Sequence, residues 1–142
     1  AVDWLVRHAA RPGPTFLSTL ETLITTRSWW DTVDPLATRV AGGIVARHPT
    51  AASTMDKWAA DDNMWLARVA LLHQLHYKAD TDTGRLFGYC TALAEHKDFF
   101  IRKAIGWALR QYARTDPDAV RAYVARTPNL SGLSVREATK HL

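Results

Sequence analysis

One interval constrains this chain more than anything else in it: Trp30, Trp65 and Phe100 follow one another thirty-five residues apart. At the same offset Leu66 matches Ile101, Arg68 matches Lys103 and Tyr77 matches Tyr112. Around these positions apolar residues recur at helical spacing. Phe16, Leu17, Leu20, Leu23 and Ile24 share one face of a helix over 15–26, and Trp65, Leu66, Val69, Leu72, Leu75 and His76 form a broad stripe on another. A period in the thirties with two helices per unit is the signature of an α-solenoid, whose stacked units curve and present a concave surface. The expectation is an all-α chain without strands.

Punctuation residues divide the chain into those helices. A short amphipathic segment, Ala1–Ala10, is closed by Pro12-Gly13-Pro14. Ser28 with Asp31 resembles a capping box, and the helix it opens continues through Leu36, Val40, Ile44 and Val45 to His48-Pro49. Pro35 allows two arrangements: Asp34 is an N-cap with Pro35 at the first helical position, or one helix runs through with a kink. Thr50–Ala60 is a short helix, Asp61-Asp62-Asn63 cap the next, and Asp80–Thr83 form a turn before a helix over Leu86–Ala94. Phe99–Tyr112 is long, and Thr115-Asp116-Pro117 stops one helix and starts another over Asp118–Arg126. Val135–Leu142 completes the chain. Its 142 residues fit one domain, able to bury about two thirds of the unfolded surface.

Charge and composition then narrow the partners. Eighteen Lys and Arg against fourteen Asp and Glu give a net charge of +4 and a pI near 9.5, and thirteen of the eighteen are Arg. Arginine binds phosphate bidentately and stacks on bases, which leans toward a nucleic-acid partner. A solvated basic face accounts for the same charge. Cys90 is the lone cysteine, which excludes a disulfide framework and a cysteine-based zinc site; it reads as a small core residue of a protein from a reducing cytoplasm. No apolar run reaches membrane-spanning length, and AVDWLVRHAA is too short and too polar for a signal peptide. A start at Ala1 suits a processed or excised piece of a longer chain.

The residues able to carry chemistry cluster in few places. Ser28-Trp29-Trp30-Asp31-Thr32-Val33-Asp34 sets two adjacent indoles beside two carboxylates, a costly combination to bury without a task. In a continuous helix Trp30 and Asp34, four apart, share a face. Farther on, Lys103, Trp107 and Arg110 fall at i, i+4 and i+7, giving a basic face with an indole in its middle. Gly106, beside that indole, costs about 1 kcal/mol of helix propensity, so something approaches closely there: a ligand, or a neighbouring helix. Arg68, Lys103, Arg110, Arg136 and Lys140, with Arg102, could line a phosphate-binding stripe, or stand singly as surface charges. His73 and His76 are three apart, but no third ligand joins them at a familiar metal spacing. Phosphate-loop, dinucleotide, serine-hydrolase and zincin motifs are absent. Any chemistry falls to carboxylate, aromatic and arginine side chains.

Four segments in order, SWWDTVD, DKWAADDNMWLARVALLHQLHYK, FFIRKAIGWALRQYARTDPDAV and LSVREATKHL, resemble the AlkD-type family of DNA alkylation repair proteins, the HEAT-like DNA glycosylases. The resemblance covers nearly the whole chain, with SWWDTVD and GWALR its strongest parts. It implies a right-handed α-solenoid of HEAT-like two-helix repeats with a concave basic face, a single domain over 1–142 without the N-terminal helices of full-length relatives. It also implies a monofunctional glycosylase that releases cationic N3- and N7-alkylated purines from double-stranded DNA. Asp34 matches the catalytic carboxylate, Trp30 and Trp107 the aromatic residues flanking the lesion's deoxyribose, and Arg68 a DNA-contacting arginine. Arg110, in GWALR, is expected on the DNA backbone. Neither metal nor cofactor belongs to this chemistry, and the setting implied is bacterial cytoplasm beside the nucleoid, away from membranes. An incomplete solenoid leaves an apolar N-terminal face uncapped, which predicts self-association. A HEAT-like DNA-binding module without activity and a protein-interaction scaffold remain as alternatives.

Overall fold

A computed structural model describes residues 2–142, in which ten α-helices and no strand are found. The helices sort into two compact units, Ala1–His73 and Gln74–Leu142.

In the first unit, α1 (Val2–Arg7) is followed by a 3-10 turn, Pro14–Phe16, and by α2 (Leu17–Thr25). A continuous helical run then begins with α3 (Trp30–Pro35), widens into a π-helical segment, Leu36–Ala41, and ends as α4 (Gly42–Arg47). After a second 3-10 turn, α5 (Ala52–Ala59) and α6 (Met64–Leu72) complete the unit. The apolar periodicity becomes its core: Leu20, Ile24, Val33, Leu36, Val40, Ile44, Met55, Val69 and Leu72 are fully buried. Each such side chain contributes about 1.5–3 kcal/mol through removal from water. Polar ties fix the ends. Arg47 donates from Nη2 to the carbonyls of Ala9 (3.0 Å) and Pro12 (2.7 Å), holding the Pro12-Gly13-Pro14 breaker. Asn63 caps α6 by accepting from the backbone N–H groups of Trp65 and Leu66.

Two local expectations are resolved around Asp34. The capping box is not formed: Trp29, in extended conformation, is the N-cap of α3 without a side-chain cap, while the Ser28 hydroxyl turns back to the Ile24 carbonyl. Pro35 lies inside the helical run, so the run-through arrangement holds. Proline has no N–H to offer the carbonyl four residues earlier. The chain widens directly after it, and Gly42 N–H reaches back five residues to Ala37. Thr38 Oγ1 donates to the Asp34 carbonyl at 3.1 Å.

The second unit comprises α7 (Thr83–Ala92), α8 (Phe99–Ala113), α9 (Pro117–Ala125) and α10 (Gly132–Ala138), with α8 packed against both α9 and α10. Asp82, Asp98, Asp116 and Ser131 cap them through their side chains. Two caps shift expected boundaries. Asp82 caps α7, which starts at Thr83, three residues before Leu86, and Ser131 caps α10, which starts at Gly132, three residues before Val135, with Ala138 rather than Leu142 at its end. Ile101, Ile105, Leu109, Cys90 and Val120 form the core, and burial pushes the Cys90 thiol pKa far above its ordinary value. Phe87 stacks on Tyr123 at 4.6 Å and meets Tyr112 edge-on at 6.2 Å. The guanidinium of Arg126 covers the stack.

The thirty-five-residue interval marks equivalent helical positions. Trp30 is the first residue of α3, Trp65 the second of α6 and Phe100 the second of α8. Leu66 and Ile101, one step on, are both buried.

Candidate functional site

Asp34 occupies the last full turn of α3 before the π-helical widening. Its two carboxylate oxygens accept one hydrogen bond each from Arg68 of α6, Nε to Oδ1 and Nη2 to Oδ2, both 2.8 Å. This is the side-on fork that matches guanidinium to carboxylate, and it fixes both the position and the plane of the acid. The side chains of Arg68 and Asp34 are 6% and 12% exposed. The carboxylate is therefore held near the surface by a guanidinium that itself lies almost wholly inside. The sequence reading set Arg68 against DNA; the structure sets it against Asp34.

Indoles gather beside this pair. Trp30, one turn before Asp34 on the same helix, is 47% exposed, and Trp29 is 52% exposed. Trp29 lies 6.1 Å from Trp65 in a tilted arrangement, at the start of α6. Large exposed aromatic surfaces are uncommon on a soluble chain and mark contact surfaces. Trp29 and Trp65 thus make an aromatic contact at the N-terminal ends of α3 and α6, the helices that carry Asp34 and Arg68. The tandem Trp29-Trp30 and the thirty-five-residue match of Trp30 with Trp65 were their signals in the sequence.

In the second unit Lys103, Trp107 and Arg110 follow along α8 as their spacing requires. Both cations converge on Glu137 of α10: Lys103 Nζ donates at 3.1 Å and Arg110 Nη1 at 2.5 Å. These hydrogen bonds and charges, Lys103 first, lower the Glu137 pKa below its ordinary 4.5. Glu137 was not singled out from sequence, because nothing in SVREATK shows which helix it faces. Trp107 is half-buried, while Arg136 and Lys140 are exposed, the latter beyond the end of α10. Gly106 is explained by the neighbouring helix: an added Cβ would run into Glu137 Cβ and crowd the Ser134 carbonyl. Ser134 Oγ in turn donates to the Arg102 carbonyl at 2.9 Å, a side-chain-to-backbone tie that holds α10 close against α8.

Asp34, Trp30 and Arg68 belong to the first unit, and Lys103, Trp107, Arg110, Arg136 and Lys140 to the second. His73 is buried, with Nδ1 2.7 Å from the Ala70 carbonyl, and His76 is exposed. Among the described residues no group of three or more His, Cys, Asp and Glu is placed to hold a metal ion. None of the helices described is long and apolar enough to cross a membrane.

An all-helical chain with an arginine-clamped carboxylate and an exposed indole on the same helix defines a class with known relatives. The profile of the family described as "DNA alkylation repair enzyme" matches residues 1–142, and the chain belongs to that family. Among solved structures it is similar to a predicted DNA alkylation repair enzyme from Enterococcus faecalis, at 32% identity and a TM-score of 0.91. The match covers 99% of this chain and 66% of that one, so the chain spans just under two thirds of the relative's length. No curated protein matches.

Proposed function

We propose that the chain carries the site of a monofunctional DNA glycosylase, which hydrolyses the N-glycosidic bond of purines made cationic by alkylation at N3 or N7 of duplex DNA. One observation supports this reading above the others: a carboxylate fixed in both position and plane by Arg68, one helical turn from the exposed Trp30.

The chemistry follows from the leaving group. Alkylation of a ring nitrogen makes the purine a cation that departs neutral, so the bond breaks through a cation-like sugar with little need of a general acid. Asp34 stabilises the charge that develops at C1′ and orients the attacking water. A carboxylate already fixed by a guanidinium needs no reorientation as that charge appears, which is where electrostatic stabilisation is most effective. The exposed indole face of Trp30 favours cations through its quadrupole and restricts solvent around the sugar, and Trp107 offers the same kind of surface in the second unit. Because the lesion supplies much of the driving force, a deep pocket for an extruded base is not required. Lys103, Arg110, Arg136 and Lys140 supply contacts to the phosphate backbone, and Arg68 serves the site through Asp34.

Incubation with methylated duplex DNA tests it. Free N3- or N7-methylpurine should appear, with none from unmodified duplex. Binding of both duplexes without release of any base would favour a non-catalytic DNA-binding module, and absence of binding at low salt a protein-interaction scaffold.

A further inference from the structure

Trp29 holds an indole 52% exposed directly before the helix that carries Asp34, yet the chemistry above gives that side chain no task. Its backbone is firmly held. Arg27, two residues earlier, adopts φ 51°, in the left-handed region that a non-glycine residue enters only at a cost. The Trp29 carbonyl accepts from the N–H groups of Thr32 (3.1 Å) and Val33 (2.9 Å), which fixes the residue as the N-cap of α3. Its indole meets that of Trp65, with ring centroids 6.1 Å apart and planes tilted by 55°. Trp65 is fixed in turn, because its N–H donates to the Asn63 side chain at 2.9 Å in the cap of α6.

We propose that Trp29 is a positioning residue for base release: braced on Trp65, it sets the angle between α3 and α6 and thereby the aim of Asp34. This rests on the glycosylase reading of Asp34. Two ties join the same pair of packed helices. The ionic one, Asp34 to Arg68, lies about one turn further along each helix than the aromatic one. Trp65 and Arg68 stand three apart on α6 and share a side of it, while Trp29 adjoins Trp30, four before Asp34 on α3. One tie leaves two helices free to pivot about it; a second, a turn away, removes that rotation. α3 has particular need of one. It is six residues long, has no side-chain cap, and gives way to the π-helical segment directly after Pro35. A displacement of about 1 Å at a reacting group costs on the order of 100-fold in rate, so a brace acts on the chemistry without touching substrate.

Trp29→Ala removes the brace, and Trp29→Phe keeps a ring to rest on Trp65. Three quantities are read on the whole chain. They are single-turnover release of N7-methylpurine from methylated duplex, affinity for that duplex by fluorescence anisotropy, and the NMR resonance of Arg68 Nε–H, which reports the hydrogen bond to Asp34. For Trp29→Ala the expected result is a release rate roughly tenfold lower at saturating protein, an affinity within about threefold of the parent chain, and a displaced Arg68 resonance. Trp29→Phe should recover most of the rate. Trp29→Leu, which keeps apolar bulk without a ring, is read in the same way where the alanine variant does not fold. A rate that falls only in step with affinity would assign the indole to DNA contact and overturn the proposal, as would an undiminished rate or an unmoved Arg68 resonance. Should the chain itself release no base, the glycosylase reading fails separately, and the resonance alone decides whether Trp29 braces the pair.

Discussion

At the scale of single residues the chain turns on two ion-paired carboxylates of different character. Arg68 and Asp34 are largely withdrawn from water, so removal of one partner leaves the other buried and uncompensated. Arg68→Ala should lower the unfolding free energy by about 3 kcal/mol, and adding Asp34→Asn should recover part of that loss in urea melts. Strict additivity of the two changes would contradict a coupled pair. Glu137 behaves as a pH-dependent tie. Lys103 and Arg110 depress its pKa, so its contribution to stability is complete above the ordinary value of 4.5 and is lost as pH falls below it. The stability gap between the chain and Glu137→Gln, read by thermal melts across pH, should narrow as the solution is acidified through that range. Asp34 was legible from its setting in SWWDTVD. Its guanidinium partner was not, because Arg68 reads as one surface cation among many until the fold brings residues 34 positions apart into contact.

At the scale of elements, helices were legible where apolar periodicity and side-chain caps agree. Asn63 caps as expected, and Asp98 and Asp116 do the same at the starts of α8 and α9. Errors arose where a plausible cap had a better alternative. Ser28 satisfies a capping pattern in sequence, yet its hydroxyl bonds back to Ile24 and the extended backbone of Trp29 takes the N-cap. The π-helical widening after Pro35 left no signal beyond the proline itself, since it depends on how the turn rearranges around a missing donor. Gly106 shows how one residue fixes a helix pair. Gly106→Ala gains about 1 kcal/mol in propensity but drives a Cβ into Glu137 Cβ, where no flexible side-chain end can yield. Overpacking of this kind typically costs about 1–3 kcal/mol. The expected result is net destabilisation in urea unfolding, with α8 and α10 forced apart; a more stable variant would show that the two helices separate freely.

At the scale of the whole molecule, what was legible was the class: an all-α chain, a thirty-five-residue interval that returns as equivalent helix starts, and four motifs whose family is now shown across residues 1–142. The surface charge predicts duplex binding that weakens steeply with salt, in proportion to the phosphates contacted. The exposed indole of Trp4 on α1 predicts self-association, which light scattering over a concentration series checks; a mass of 15.9 kDa at every concentration would contradict it. The central claim, that Asp34 is the carboxylate that opens the glycosidic bond, is tested most directly by methylpurine release from alkylated duplex by the chain and by Asp34→Asn, with duplex binding measured on both. Release by the chain that disappears in Asp34→Asn while binding persists is the predicted result; undiminished release by Asp34→Asn would contradict it.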